Sequence, residues 1–396
     1  MNISMLLGSC GGRNPKIRFI SMNPAPPPIP EETPELRFLR ELVEIESPSF
    51  DAEASERIAS LITDRFRAIG GAVNTTRTEA GVNLTIDFPG PGSPLLLVGH
   101  TDTVWPVGTL AGPLPWSHRD GIVRGPGAFD MKAGIVVMHA ALARLNGRPA
   151  QATRIVLTCD EEVGSPTSLG LLREHAAIAG GALGFESPHP DGALKVGRRG
   201  STRLLLSVAG KPAHAALDPD KGISAIDELV DQLIRVREIT GDHTLPSPVL
   251  CNIGTITGGT RANVVPGHAA AEIGLRFLDG DAETRVLSQI RGLTSVRSGA
   301  VLTVETLSSR PAWAPAPGDQ ALLAELAAAA PPGQSITGRP AAGAGDTNLL
   351  GSLGLPTLDG LGPRGGGAHA LDEHLRVDSL EERISLVCAL LSTAIS

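Results

Sequence analysis

A chain of 396 residues with 41% hydrophobic content is long enough for two domains and apolar enough to fill substantial cores. Its 34 basic and 42 acidic residues leave a formal charge of −8 without a long run of either sign, which argues against nucleic acid or an anionic membrane as a partner. The four cysteines, Cys10, Cys159, Cys251 and Cys388, are far apart and form no CxxC pair, so neither a thiolate zinc site nor a disulfide framework is indicated and a cytoplasmic location fits; no apolar stretch reaches the roughly 18 to 20 residues of a membrane helix.

Residues 1–30, closing in Pro26-Pro27-Pro28-Ile29-Pro30, read as a disordered or polyproline leader. Leu7-Gly8-Ser9-Cys10 faintly resembles a lipoprotein processing site. No positive segment precedes it, and the apolar stretch 3–7 is shorter than the roughly 7 to 15 residues of a signal-peptide core, so Met22 is an alternative start. A cap at Thr33, Pro34 at the first helical position and Glu35 predict a helix carrying Leu36, Leu39, Leu42 and Val43 at helical spacing. A second helix runs from a cap at Asp51 through Ile58, Ile62 and Phe66 to Gly70-Gly71. Strands at 82–88, 94–99 and 154–159, with a helix at 132–145, give the βαβ alternation of a mostly parallel sheet.

Near Gly197 the pattern changes. Alternating strands at 201–208, 251–256, 268–277 and 301–305, with helices at 223–239 and 282–293, follow the order βαββαβ of a small ferredoxin-like α+β sandwich. We read residues 197–309 as an insertion in a larger α/β domain formed by 31–196 and 310–396. That domain resumes with a helix at 319–329, a strand near 355–358 and a closing helix at 380–395.

Five segments put metal-ligand chemistry at or near strand ends. The apolar run 95–98 ends in Gly99-His100-Thr101-Asp102, and ligands of open α/β sheets bind outside the carboxyl ends of strands. In extended chain His100 and Asp102 point to one side, where the carboxylate orients the imidazole. Gly125-Pro126-Gly127 hold Asp130 just before a helix. Asp160-Glu161-Glu162 follow a buried strand, and three consecutive acids repel one another without a cation. Adjacent residues of an extended segment face opposite ways, so one of Glu161 and Glu162 binds metal while the other handles protons. Glu186 ends the strand-like run 182–185, and the glycine-rich loop 362–367 presents His369. Singly, each has a plainer reading: a turn, a helix cap at Asp130, solvated loop positions. No GxxxxGK[ST] occurs, so glycine richness does not mean phosphate binding, and there is no GxSxG elbow.

Jointly, Gly99-His100-Thr101-Asp102-Thr103-Val104, Gly127-Ala128-Phe129-Asp130-Met131-Lys132-Ala133-Gly134, Asp160-Glu161-Glu162-Val163-Gly164 and the late histidine resemble the co-catalytic zinc exopeptidases and deacylases, in order over roughly residues 33–394. That superfamily includes bacterial glutamate carboxypeptidase, acetylornithine deacetylase, succinyl-diaminopimelate desuccinylase and aminoacylase. The resemblance implies a two-metal centre in which Asp130 bridges both ions, His100 and Glu186 complete one, and Glu162 and His369 the other. It further implies Glu161 as general base, Asp102 behind His100, and a cis peptide at Asp130-Met131. Carboxylate and imidazole ligands without thiolates suit two divalent ions, zinc first, with cobalt or manganese as alternatives.

In the insertion, Gly210-Lys211-Pro212-Ala213-His214-Ala215 resembles the segment whose histidine, in dimeric members, reaches the neighbouring subunit's site and stabilises the oxyanion. A homodimer through the insertion is therefore expected, with His214 catalytic. Asn263 and Arg276 resemble positions that hold a substrate carboxylate, with Arg310 assisting. The expected activity is hydrolysis of an amide bond in an N-acyl amino acid or small peptide with a free carboxylate, closest to glutamate carboxypeptidase. Deacylation like that of acetylornithine deacetylase or succinyl-diaminopimelate desuccinylase is the alternative. A catalytically silent scaffold is the non-enzyme alternative; loss of Glu161 or a ligand would mark it, and none is lost.

Overall fold

The structure, a computed structural model, describes residues 32–393. The leader expected at 1–30 and the last residues of the expected closing helix lie outside the described residues. The strand Leu95–His100 lies inside a six-stranded sheet and is buried throughout. Because side chains alternate along a strand, Leu95 and Leu97 feed one core while Leu96 and Val98 feed another. The first core is covered by helices Pro34–Glu44, Ala52–Ala68, Ala133–Arg144 and Val377–Leu391, the second by Leu169–Ala176 and Thr347–Ser352. This double coverage explains the continuous apolar run, the signature of a strand in a parallel sheet.

Across the sheet the order is Ala72–Arg77, Val82–Phe88, Thr153–Thr158, Leu95–His100, Gly181–Gly184 and Thr357–Leu358. The last four strands are mutually parallel, and Val82–Phe88 runs antiparallel to both of its neighbours. The carboxyl ends of Leu95–His100, Thr153–Thr158 and Gly181–Gly184 therefore open on one edge, and each leads directly into a candidate site segment.

The second sheet is antiparallel, in the order Leu250–Gly258, His268–Phe277, Gly200–Ala209, Val301–Arg310, which is the ferredoxin-like arrangement. Leu204, Leu206 and Val208 point from its central strand into a core closed by helices Ala225–Thr240 and Gly280–Arg291. Ser224 and Asp279 cap these helices through Asp227 N and Ala282 N. The last strand continues through Arg310, five residues past its expected end at 305.

Five features escaped the sequence reading: the helices Leu169–Ala176 and Thr347–Ser352, the exposed edge strand Ala72–Arg77, the pair Leu194–Arg198 with Gly338–Ala341, and a small sheet of Ser117–Arg119, Ile122–Arg124, His374–Arg376 and Gly365–Gly366. That small sheet positions the site. It pairs Ile122–Arg124 with His374–Arg376, bringing the Asp130 loop and the His369 loop together.

Candidate metal centre

Close packing under the site fixes two glycines. A Cβ at Gly99 would meet Met131 Sδ at 2.5 Å, and one at Gly127, whose φ is +70°, would meet Thr103 Cγ2 at 2.4 Å. Past Gly127, Asp130 and Met131 leave helical geometry within the turn Ala128–Lys132, and the Asp130–Met131 peptide is cis.

Asp130 stands between two histidines. Its Oδ1 lies 3.5 Å from His100 Nε2, and its Oδ2 lies 3.2 Å from His369 Nε2. Glu186 Oε1 joins the first pair, 3.2 Å from His100 Nε2, and Glu162 Oε2 the second, 3.2 Å from His369 Nε2. One carboxylate thus serves two half-sites, each completed by an imidazole and a further carboxylate. Ligand atoms of His100, Asp130 and Glu162 all fall within 4.8 Å of one another.

The donor set demands cations at both positions. His100 Nδ1 donates to the Asp102 carbonyl at 2.9 Å, so Nδ1 carries the ring proton and Nε2 turns a lone pair toward two carboxylates. Nε2 is buried without a hydrogen-bond partner, as is Glu162 Oε1. Acceptors facing acceptors in a buried site are held together by positive charge, either a proton or a metal ion. Burial opposes charge on His100, yet Asp102, Asp130 and Glu186 outweigh it and raise its pKa well above the ordinary imidazole value. Hydrogen bonding to Asp130 and Glu162 lifts His369 to about 10. Burial would raise Asp130, but the two imidazoles hold its carboxyl far below the usual range. Burial and the Asp130 charge push Glu186 up, against His100. The residues present therefore fit divalent cations.

The acidic triplet corrects the sequence reading. Glu161–Val163 is a tight helical turn, not an extended segment. Glu161 and Glu162 diverge all the same: Glu162 faces His369, while Glu161 Oε1 pairs with Arg310 Nη2 at 2.8 Å. Arg310 also bonds the Glu161 carbonyl and lies 3.9 Å from Asp346. Burial raises Glu161 well above the ordinary carboxyl value, against the opposing charge of Arg310. Asp346 in turn accepts from Thr158 and Ser165.

Asp102 does more than its spacing suggests. Its carboxylate lies 3.3 Å from His100 Nδ1, farther than its own carbonyl, and accepts from Glu161 N at 3.0 Å, Glu162 N at 3.1 Å and Ser49 Oγ at 2.6 Å. It therefore fastens the Glu161–Glu162 turn to the His100 strand.

Glu373 was missed altogether. Fully buried, it accepts from Phe129 N, Asp130 N, Gly127 N and the Trp105 indole at 2.9, 3.1, 3.1 and 2.6 Å. Three of its partners are backbone amides some 245 residues away in the chain and the fourth, the Trp105 indole, is farther still, so no local sequence signal marks it; the nearest hint is its place four residues after His369.

His214, Asn263 and Arg276 lie on the inserted sandwich. Among the described residues they make no ion pair or hydrogen bond with the cluster. His214 is exposed, and its Nδ1 accepts from Ala216 N and Leu217 N at 3.2 and 3.1 Å, so its proton sits on Nε2. It pairs with Val264, beside Asn263. Arg276 is exposed and donates to the Leu275 carbonyl at 3.0 Å.

Comparison with known proteins agrees with this architecture. The chain is 29% identical over 378 residues to succinyl-diaminopimelate desuccinylase of Gluconacetobacter diazotrophicus, covering 89% of this chain and 94% of the relative. It is 25% identical over 375 residues to carboxypeptidase G2 of a Pseudomonas species, covering 91% and 89%. Its fold matches a solved M20 family metallo-carboxypeptidase from Sulfolobus solfataricus with a TM-score of 0.69 at 15% identity, over 91% of this chain and 99% of that one. It also matches a dinuclear metal-binding M20 peptidase from Bacillus subtilis with a TM-score of 0.63 at 16% identity, over 90% and 96%. Residues 96–393 match the profile of one family across most of the chain's length, and the chain belongs to peptidase family M20/M25/M40.

Proposed function

We propose that this protein is a two-metal hydrolase that cleaves the amide bond of an N-acyl amino acid or small peptide with a free carboxylate, acting as a glutamate carboxypeptidase-like enzyme. Desuccinylase-like deacylation is the second reading, favoured by the relative from Gluconacetobacter. The observation that carries the proposal is the shared carboxylate: Asp130 offers one oxygen to each of two imidazole and carboxylate pairs. In this reading His100, Glu186 and Asp130 hold one ion, and Glu162, His369 and Asp130 the other. Zinc suits the ligands best. Two divalent ions bound there would polarise the scissile carbonyl and ease deprotonation of the attacking water.

Glu161 takes the proton of that water and delivers it to the leaving amine, with Arg310 orienting its carboxylate. Asp102 keeps the base and the histidine in register. His214, an exposed residue whose Nδ1 accepts two backbone N–H groups and whose Nε2 is left to donate, suits a developing oxyanion in a second copy's site. Arg276 and Asn263 hold the substrate carboxylate.

The insertion, residues 197–309, supplies the dimer contact in this reading. Among the described residues its edge strand Leu250–Gly258 has one unpaired side, with Leu250 and Ile256 exposed, and the neighbouring helix exposes Val230 and Ile234 one turn apart. An apolar edge of this kind fits a second copy pairing strand to strand. No helix among the described residues is long and apolar enough to cross a membrane, and Cys159, Cys251 and Cys388 are free thiols, which suits a cytoplasmic enzyme.

Elemental analysis after chelator-free purification is expected to find about two metal ions per chain, as a two-metal site requires. Metal-loaded enzyme is expected to hydrolyse N-acyl amino acids or dipeptides, and Glu161→Ala to keep its metal while losing turnover. Metal content near zero, or turnover retained by Glu161→Ala, refutes the site; no hydrolysis across a broad panel refutes the activity.

A further inference from the structure

Phe50 occupies a backbone position that aromatic residues rarely tolerate. Asp51 N donates to the Pro48 carbonyl at 3.1 Å, closing a four-residue turn whose third residue, Phe50, has φ of +65°. Glycine or asparagine ordinarily fills that place, since a side chain there crowds the backbone. The residue is 51% exposed, so burial does little to offset the strain, and such strain persists mainly where function uses it. Its neighbour Ser49 donates to Asp102 Oδ2, and Pro48 pairs with Thr103. A residue with a strained backbone is thus presented next to Ser49, which holds the Asp102 carboxylate that braces His100 and the Glu161–Glu162 turn.

The segments linked to it are largely apolar. Glu46 accepts from Gly108 N and Leu110 N at 2.8 Å each, tying the Phe50 turn to the 103–110 segment, and Trp105 ties that segment to Glu373. Val104, Val107 and Leu371 are exposed on these linked segments, at 40%, 65% and 58%. Neither 47–50 nor 103–117 contains an ionisable side chain. The guanidinium at the cluster, that of Arg310, is engaged by Glu161.

We propose that Phe50, with Val104, Val107 and Leu371, forms the acyl subsite, and that the acyl group removed is apolar, aliphatic or aromatic, and not a dicarboxylic one such as succinyl. The inference rests on the amide-hydrolase reading above, in which the inserted domain holds the amino-acid carboxylate and leaves this face of the larger domain for the acyl side. A second carboxylate placed here would lose hydration with no cation on 47–50 or 103–117 to replace it, and with the acidic Glu46, Asp51 and Asp372 adjoining the subsite residues and their segments. An apolar acyl group instead covers exposed aliphatic and aromatic surface.

The test uses zinc-loaded wild type and Phe50→Gly, a change the turn's geometry favours. Both are assayed on the N-acetyl, N-succinyl and N-phenylacetyl derivatives of one amino acid, and both are titrated with phenylacetate by calorimetry. Wild type is expected to prefer the phenylacetyl over the succinyl substrate in kcat/KM by at least about tenfold, and Phe50→Gly to lower the phenylacetyl-to-acetyl ratio by about tenfold, the worth of part of a buried ring. Phenylacetate is expected to bind wild type more tightly than the variant by a similar factor. A succinyl preference, or a ratio that Phe50→Gly leaves unchanged, overturns the subsite. If neither protein hydrolyses any of the three, the hydrolase reading falls and the titration decides the subsite: tighter binding to wild type upholds it, and equal or absent binding overturns it.

Discussion

Glu373 accepts four hydrogen bonds, three from backbone amides of the Asp130 loop and one from Trp105, while sitting four residues after His369. It therefore fixes the loop that carries the shared carboxylate relative to the loop that carries one of its imidazoles. Glu373→Gln keeps the volume but turns an amide donor toward N–H donors. The expected result is a loss of about 10- to 100-fold in metal affinity or kcat, typical of a group that orients ligands, with KM little changed; unaltered metal content and kcat would remove this role. Asp102→Ala is expected to fall in the same range, because it releases both the Glu161–Glu162 turn and the His100 ring. Ligand types and spacing made the proposed metal residues legible in sequence. Glu373, Ser49 and Asp346 were not legible, because their partners are main-chain amides, hydroxyls or, for Ser49, a carboxylate, all remote in the chain, a pattern that leaves no local imprint.

Long elements with a clear period were read closely: Val82–Phe88 and His268–Phe277 lie where their apolar patterns put them, and Asp51 caps Ala52–Ala68 through Ala54 N. Short or exposed elements were not, since Ala72–Arg77 is a polar edge strand and Leu194–Arg198 owes its place to a buried ion pair. Arg198 bonds the fully buried Asp359, which also accepts from Thr347 Oγ1 and Gly360 N, and Arg198 Nε donates to the Gly343 carbonyl at 2.7 Å. Burial would raise Asp359, but Arg198 and Lys195 outweigh it and hold its carboxyl below the usual range. A folded-state pKa below the unfolded value means that the pair's contribution is whole above about pH 4 and is lost as pH falls through the folded pKa. Arg198→Ala strands a buried carboxylate and is expected to cost about 3 to 5 kcal/mol in urea unfolding at pH 7.5. The deficit is expected to shrink as pH falls, beginning where the variant's carboxyl, buried and without Arg198, takes up a proton, at a higher pH than in the wild type. A deficit independent of pH would mean that Arg198 acts by packing alone.

The two sheets divide the proposed machinery unequally. The proposed metal residues and Glu161 converge within the larger domain, whereas His214, Asn263 and Arg276 stand on the inserted sandwich with no hydrogen bond or ion pair to that cluster among the described residues. If one chain sufficed, His214 would be a surface histidine whose loss costs little. In the proposed symmetric dimer it completes the partner's site, and two inactive variants then rescue each other. Glu161→Ala lacks the base but still offers His214; His214→Ala lacks the donor but keeps the base. In a mixed dimer one site has neither group and the other has both. Random reassortment makes half the dimers mixed, so the mixture is expected to recover about a quarter of wild-type activity, while either variant alone stays near background. Val230→Glu with Ile234→Glu places charge on the exposed helix face and is expected to yield monomers in sedimentation and to abolish the rescue. Full activity in those monomers, or no recovery from mixtures whose exchange is verified by differential tagging, would return His214 to the status of a surface residue and leave each chain to complete its own site.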